Sequence, residues 1–300
     1  MEATVGERPY SGPMSTRESM SSQQTTPEDA LADLSSTTVV VVGAGNMGGA
    51  FVTAALAAGV APENLRIVNS SEESSRRAAE DLDATPGTLA DVDDADAVVI
   101  GVKPYQLDAV VPSLREHLRE DALVLCVAAG TTLAALGELL GGHRELVRAM
   151  PNTPMSVGEG VTQLMPSPEA GEASVGLARA LLSASGLVVD LPEDKGHALI
   201  GAAGSAPAFV FTMIDAMIDE AVRQGIPRPE ATRIVLQTVK GSAVLLQETG
   251  EHPAVARSQV MSPGGTTAEG VAALERGGIR AALAGAMDAA ASRSRTMSGE

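Results

Sequence analysis

The sequence predicts an α/β protein: a doubly wound, largely parallel sheet followed by an all-α domain. Three observations lead there. Short β-branched strands alternate with helical stretches from residue 37 to residue 191. The first strand runs into a glycine-rich turn that opens a helix. After residue 192 the strand pattern stops and every periodic stretch is helical.

In chain order, residues 1–36 are rich in Ser, Thr, Glu and Pro and poor in large apolar side chains. Such a composition buries too little to order itself, so a disordered tail is expected. "TTVVVVGAGNMGGAFVTAALAAGV" reads as strand, turn and a small-residue helix ending at Gly59. "NLRIVNSS" gives the second strand and "SEESSRRAAEDL" a polar helix. "DADAVVIGVKP" gives a third strand, stopped by Pro104. "QLDAVVPSLREHL" is a crossover helix with Pro112 inside it, where a kink is expected. "DALVLCVAAG", "TLAALGELLG" and "ELVRAMPNTP" supply strand, helix and strand. "GVTQLMPS" and "GLVVDLP" are expected as edge strands around the helix "EASVGLARALLSAS". The predicted domains are therefore a tail over 1–36, a dinucleotide-binding domain over 37–191 and a helical domain over 192–300.

In the last domain, "KGHALIGAAGSAPAFVFTMIDAMIDEAVRQG" is apolar nearly all round, with a stop at Gly225 and Pro227. A helix of that kind is buried on every side. A domain this small requires a second copy to bury it, so a homodimer is predicted. "PEATRIVLQTVKGSAVLLQETG" and "GIRAALAGAMDAAASRSR" are further helices.

The composition narrows the function. The net charge is -17, and Lys103, Lys195 and Lys240 are the only lysines. That charge argues against nucleic acid and anionic membrane as partners, both of which need basic patches. An acidic surface that takes its positive charge from Arg suggests a salt-adapted protein. The one cysteine, Cys126, lies in an apolar run and reads as a buried small hydrophobe in a reducing cytoplasm. No secretory signal, no run long and apolar enough to span a membrane, and no metal site is expected.

"GAGNMG" places Gly43, Gly45 and Gly48 in G-x-G-x-x-G spacing, with Ala44, Asn46 and Met47 between them. The first Gly permits the tight turn, the second lets a pyrophosphate approach the backbone, and the third lets helix and strand pack closely. Helix N–H groups and the helix dipole then hold the anion. The motif follows a strand and opens a helix, which is the context that a Rossmann dinucleotide site requires. The second strand ends in Asn69, Ser70 and Ser71, where an NAD-selective site would place an acid, and Arg76 and Arg77 follow. Neutral donors and an Arg accept a 2′-phosphate, so NADPH is predicted, with NADH as the alternative. Glu72 and Glu73 are expected in the first helical turn, where the dipole favours acids.

A second glycine-rich helix start lies near the C-terminus, in "SQVMSPGGTTAEGVAALE". Gly264 and Gly265 can expose consecutive N–H groups ahead of a helix beginning at Thr266 and Thr267. Such a nest suits a small carboxylate; a plain helix cap is the structural alternative.

Taken together, the Gly-rich loop, "VKP" at 102–104, "CVAAG" at 126–130, "MPNTP" at 150–154, "GSAPAFVF" at 204–211, "GIPRPEA" at 225–231 and "SPGGTT" at 262–267 resemble the pyrroline-5-carboxylate reductase family over residues 38–297. The most specific segment is "HPAVARSQVMSPGGTTAEGVAALERGGIRAAL". The resemblance implies NAD(P)H-dependent reduction of the cyclic imine Δ1-pyrroline-5-carboxylate to L-proline. It also implies a Rossmann domain, and a helical domain that interlocks with its dimer mate, in some members as a pentamer of dimers. By the same resemblance Val102, Lys103, Pro104, Ala128, Ala129 and Gly130 border the dinucleotide, and Asn152 lies near the nicotinamide. Ser262, Gly264, Gly265 and Thr266 would hold the substrate carboxylate, Glu193 would lie near the substrate, and the catalytic position is Thr267, whose hydroxyl meets the ring nitrogen. A cyclic imine can bring its own proton, so no separate acid is demanded.

The helix before "GSAPA" departs from the family at His197, Ile200, Ala203 and Ala206, where an acid, Thr, Ser and Gly are usual. Three other functions make different demands on these residues. A β-hydroxyacid dehydrogenase needs a Lys with an Asn one turn along, but Lys195 has Leu199 at that spacing. A non-catalytic NADP-binding regulator, or a reductase of a related cyclic imine, would accommodate the departures.

Overall fold

The computed structural model describes residues 33–298. The tail expected over residues 1–36 lies outside these up to residue 32. At its end the structure differs from the expectation: Leu34 is buried in the core, and Ser35 O accepts a 2.7 Å bond from Asn64 Nδ2.

Eight strands form one sheet, ordered β3-β2-β1-β4-β5-β6-β7-β8. They are β1 (Val39–Val42), β2 (Leu65–Val68), β3 (Thr85–Pro86), β4 (Ala97–Ile100), β5 (Leu123–Cys126), β6 (Leu146–Pro151), β7 (Gly160–Pro166) and β8 (Gly186–Asp190). The helices between them are α1 (Asn46–Ala57), α2 (Glu72–Leu82), α3 (Leu107–Arg115), α4 (Leu133–Leu139) and α5 (Glu172–Leu181). Strands β1, β4 and β5 are buried at every position, as central parallel strands must be. Their alternation feeds two cores. Val39 and Val41 pack with α1 and α5 on one face; Val40 and Val42 pack with α3 and α4 on the other.

The sheet departs from the sequence reading in two places. The two-residue strand β3 was not expected; its Pro86 cannot donate to a ladder, and it takes an outer position beside β2. Strand β7 is internal, not an edge: it pairs antiparallel with β6 and parallel with β8, which is the edge on that side. The connection from Pro151 to Gly160 is too short for a parallel crossover, so the chain must turn back. The crossover helix has Pro112 inside it, as the sequence reading had it, and continues to Arg115.

The helical segment begins at Glu193 and contains α6 (Gly196–Leu199), α7 (Ala206–Arg223), α8 (Arg228–Thr249), α9 (Pro253–Gln259), α10 (Thr266–Arg276) and α11 (Ile279–Ser298). The single helix expected from Lys195 onward is divided by a π-turn, Ile200–Gly204, closed by Ser205 N donating to Ile200 O at 2.7 Å. Gly201 sits there against α11; a Cβ would lie 2.7 Å from Met287 O.

Burial on every side is not met within one chain. Only Ile218 of α7 is buried, while Val210, Phe211, Met213 and Met217 are exposed. The absence of a membrane-length run also needs correction: Glu193–Arg223, 31 residues with an 18-residue window of mean hydropathy 1.5, is long and apolar enough by length and composition. The Phe and Met positions that raise its hydropathy belong to the face a partner helix would cover. Leu245 of α8 and Leu283 of α11 are exposed as well.

Candidate functional site

The site begins where β1 ends. Gly43 has φ +90, and a Cβ on it would lie 2.6 Å from Val102 Cγ1. A Cβ on Gly48 would sit 2.0 Å from Gly43 O, and one on Gly101 would sit 2.5 Å from the same oxygen. Three glycines therefore let the first turn, α1 and the end of β4 interlock. Gly45 differs. It is the N-cap of α1, with no side chain capping it and nothing within 4 Å of where its Cβ would be. The turn is tight on its protein side and open on the other, which is the shape a pyrophosphate requires.

A cleft of about 420 Å³ opens from this turn, within the usual range for ligand sites. Gly43, Gly45, Asn69, Ser70, Val102 and Lys103 line it, with Gln106, Ala109 and Ser113 on the far wall. Lys103 N donates to Gln106 Oε1 at 3.0 Å, fixing the turn after β4, and its exposed amine makes no ion pair among the described residues. Gly130, at φ +73, would bring a Cβ to 3.9 Å from Pro104 Cγ. The loops after β4 and β5 thus meet, with Ala129 and Gly130 exposed and Ala128 buried.

At the end of β2, Asn69 is already employed. Its Oδ1 accepts Ala44 N at 2.9 Å and its Nδ2 donates to Ser74 O at 3.1 Å. It braces the glycine turn against α2. Ser71 caps α2, accepting Ser74 N at 3.2 Å, and Glu72 and Glu73 occupy the first turn as expected. Glu73 takes Arg77 at 3.0 Å. Ser70 and Arg76 remain exposed, and neither side chain has a partner among the described residues.

A second, more polar cavity of about 260 Å³ adjoins the loop after β5. Gly130, Thr131, Thr132, Arg148, Glu193 and His197 line it. Glu193 Oε1 accepts two bonds, from Arg148 Nη1 at 2.9 Å and from Leu133 N at 3.0 Å. Arg148 was missed by the sequence reading, although a charge inside the apolar run "ELVRAMP" was the available signal. His197 Nδ1 lies 2.8 Å from Ser294 Oγ, joining α6 to α11. Asn152 is buried and does not line either cavity. Its Nδ2 donates to Ala203 O at 3.1 Å and its Oδ1 accepts Val161 N at 2.8 Å.

The C-terminal turn has part of the geometry read from the sequence: the left-handed glycine and the uncapped helix start are there, but the Gly265 N–H is not exposed, because it is donated to Ser262 O. Gly264 has φ +67, and Gly265 is the N-cap of α10 with no side-chain cap. Gly265 N donates to Ser262 O at 2.9 Å, closing the turn. The hydroxyls of Ser262, Thr266 and Thr267 are exposed and have no partner among the described residues. Within one chain the nest does not join the cleft: no residue from 258 to 276 lines either cavity.

Cys126 is fully buried, and burial pushes its thiol up to about 11. A thiol held neutral is no nucleophile. Among the described residues no cluster of three or more His, Cys, Asp or Glu is placed to hold a metal ion.

An open glycine turn at the switch point of a parallel sheet, followed by a helical segment with an unpartnered apolar face, defines the Rossmann class of dinucleotide-binding proteins with an appended helical association domain. Residues 193–297 match the family model "Pyrroline-5-carboxylate reductase dimerisation", and residues 38–130 match "NADP oxidoreductase coenzyme F420-dependent". The pyrroline-5-carboxylate reductase of Methanosarcina acetivorans is 36% identical over 85% of this chain and 96% of its own length. The solved pyrroline-5-carboxylate reductase of Coxiella burnetii superposes with a TM-score of 0.80 at 31% identity, covering 87% of this chain and 98% of that one. The Plasmodium falciparum enzyme, solved with NADP bound, shares the fold at a TM-score of 0.79 and 24% identity, over 88% and 99% of the two chains. The chain belongs to the pyrroline-5-carboxylate reductase family.

Proposed function

We propose that the protein reduces Δ1-pyrroline-5-carboxylate to L-proline with NADPH. The observation that carries this reading is the pairing of two uncapped glycine-rich helix starts, one at Gly45 and one at Gly265. The first suits a pyrophosphate and the second a small carboxylate.

The cofactor supplies a hydride, which goes to the imine carbon while the ring nitrogen keeps the proton it brings; NADP⁺ and a secondary amine result. The chain's task is to position and to hold. Gly43, Ala44, Gly45, Asn46, Met47 and Gly48 cradle the pyrophosphate, with Asn69 bracing Ala44. Ser70 and Arg76 receive the 2′-phosphate, and the absence of an acid at this point favours NADPH over NADH. Val102, Lys103 and Pro104 form one wall of the dinucleotide site, and Ala128, Ala129 and Gly130 form the other. Asn152 acts by holding the loop beneath the nicotinamide, because both ends of its side chain are engaged.

The Gly264 N–H and the helix start at Thr266 and Thr267, with the hydroxyls of Ser262 and Thr266, hold the carboxylate, while Gly265 shapes the turn by donating its N–H to Ser262 O. Thr267 places its hydroxyl against the ring nitrogen. Because the nest does not line the cleft of its own chain, a homodimer in which one copy's nest faces the other's cleft is the assembly this reading requires. A pentamer of such dimers, a cytoplasmic location and adaptation of the acidic surface to salt complete the reading.

Thr267→Ala tests the site. The variant should lose on the order of tenfold or more in kcat/KM for the imine, a loss of about 1.4 kcal/mol in transition-state stabilisation. NADPH affinity should be unchanged. Unaltered turnover would remove Thr267 from the site.

A further inference from the structure

We propose that Arg148 is a positioning residue for hydride transfer: through Glu193 it fixes the loop after β5 against the first turn of the helical segment. This deepens the reductase reading and rests on it.

Arg148 sits mid-strand in β6, paired with Cys126 on one side and Met165 on the other. It faces the α3–α4 side of the sheet, as Leu146 does two residues before it. Its side chain is 9% exposed, so its charge is almost wholly removed from water and has to be matched. Glu193 matches it at 2.9 Å. The same Glu193 oxygen accepts Leu133 N, the first amide of α4. One carboxylate oxygen thus ties together the sheet, the loop over residues 128–132 and the start of the helical segment. A carboxylate at that amide is also on the favourable end of α4.

Two other buried side chains hold the same connection. Gln163 Nε2 donates to Leu191 O at 3.0 Å and to Pro192 O at 2.9 Å. Asn152 Nδ2 donates to Ala203 O. The chain from Leu191 to Ala203 is therefore pinned at its two ends and at Glu193, all from β6, β7 and the loop between them. This makes the passage between the sheet and the helices a strut and not a hinge. It also gives Glu193 a task other than touching substrate. Gly130, on the loop that Glu193 anchors, is one of the residues placed against the dinucleotide, so loosening the strut misplaces the hydride without emptying the cleft.

The test uses Arg148→Met, Arg148→Lys and Glu193→Gln in the full-length protein. Glu193→Gln keeps the shape and an acceptor oxygen, so it stays informative if Arg148→Met fails to fold. Arg148→Met should lower kcat by roughly tenfold or more, the order of loss a small misplacement causes. The NADPH dissociation constant should stay within about threefold, less than the tenfold that 1.4 kcal/mol represents. Arg148→Lys should recover part of kcat, and the Arg148→Met/Glu193→Gln double variant should be no worse than Arg148→Met alone. Exchange of the Leu133 amide with deuterated solvent should accelerate in Arg148→Met and Glu193→Gln whether or not the protein turns over the imine. An inactive wild type would therefore defeat the reductase reading, and leave the strut to be judged by exchange. Wild-type kcat in folded Glu193→Gln, a rise in imine KM alone in that variant, or Leu133 protection unchanged in both would overturn the proposal.

Discussion

Replacing Gly45 and Gly48 separately by Ala should divide the nucleotide motif into a ligand-facing and a fold-facing half. A Cβ on Gly48 would meet Gly43 O at 2.0 Å, a backbone atom that cannot move aside cheaply. Overpacking of this kind costs about 3 kcal/mol at the upper end of its usual range. The gain in helix propensity from Gly to Ala returns about 1 kcal/mol. The net loss is about 2 kcal/mol, or about 4–8 °C in Tm for a domain of this size. A Cβ on Gly45 meets nothing, and its φ of -78 suits Ala. Its folding cost is that of a poorer N-cap, about 0.5–1 kcal/mol. Yet the methyl would project where the pyrophosphate must pass, so NADPH affinity should fall by about tenfold or more, equivalent to about 1.4 kcal/mol. Thermal unfolding of the free protein and NADPH fluorescence titration read the two effects. Gly45→Ala binding NADPH as the wild type does, in a folded protein, would refute the assignment of this turn to the pyrophosphate.

Two further outcomes follow from other parts of the structure. Ser70→Asp places an acid beside the exposed Arg76 and should weaken NADPH more than NADH, by on the order of tenfold, since it repels a 2′-phosphate and accepts a 2′-hydroxyl; equal effects on the two cofactors in paired titrations would defeat the specificity argument. Hydrogen bonds from Ser174 and from Gly171 N–H, the latter at 2.9 Å, hold the Glu145 carboxyl below its ordinary value. Its contribution is therefore complete above the unfolded carboxyl's value of about 4.3 and is lost as the pH falls through the lower folded one. Glu145→Gln should be destabilised at neutral pH and converge on the wild type in acid, as followed by urea unfolding across pH.

The sheet was legible because its signal is local. Runs such as Val39–Val42 and Ala97–Ile100 are apolar at every position, and the glycine spacing at 43, 45 and 48 leaves few alternatives for the turn between them. Strand direction was less legible: nothing in "GVTQLMPS" says that it runs back along β6, which the length of the preceding loop decides. The turn at Gly264 was legible for the same reason as the glycine turn at Gly43, since both are short stretches of backbone with one demanding conformation, but the bond from Gly265 N to Ser262 O was not. Asn69, Asn152 and Glu193 stand out in the sequence as candidate site positions, but the side-chain bonds they make do not. Each spends its side chain on a distant segment, at Ala44, Ala203 and Arg148, and such pairings become visible only once the chain is folded. The π-turn at Ile200–Gly204 escaped notice because its residues carry the same apolar pattern as the helices on either side.

The most direct measurement is oxidation of NADPH by the purified protein given Δ1-pyrroline-5-carboxylate, at low and at molar salt, with the product identified. The account predicts stoichiometric formation of proline, with turnover rising in salt as the acidic surface is screened. NADPH binding without turnover at either salt concentration would contradict it. That result would give the residues at His197, Ile200, Ala203 and Ala206 to a different cyclic imine or to a protein that binds NADP without catalysis.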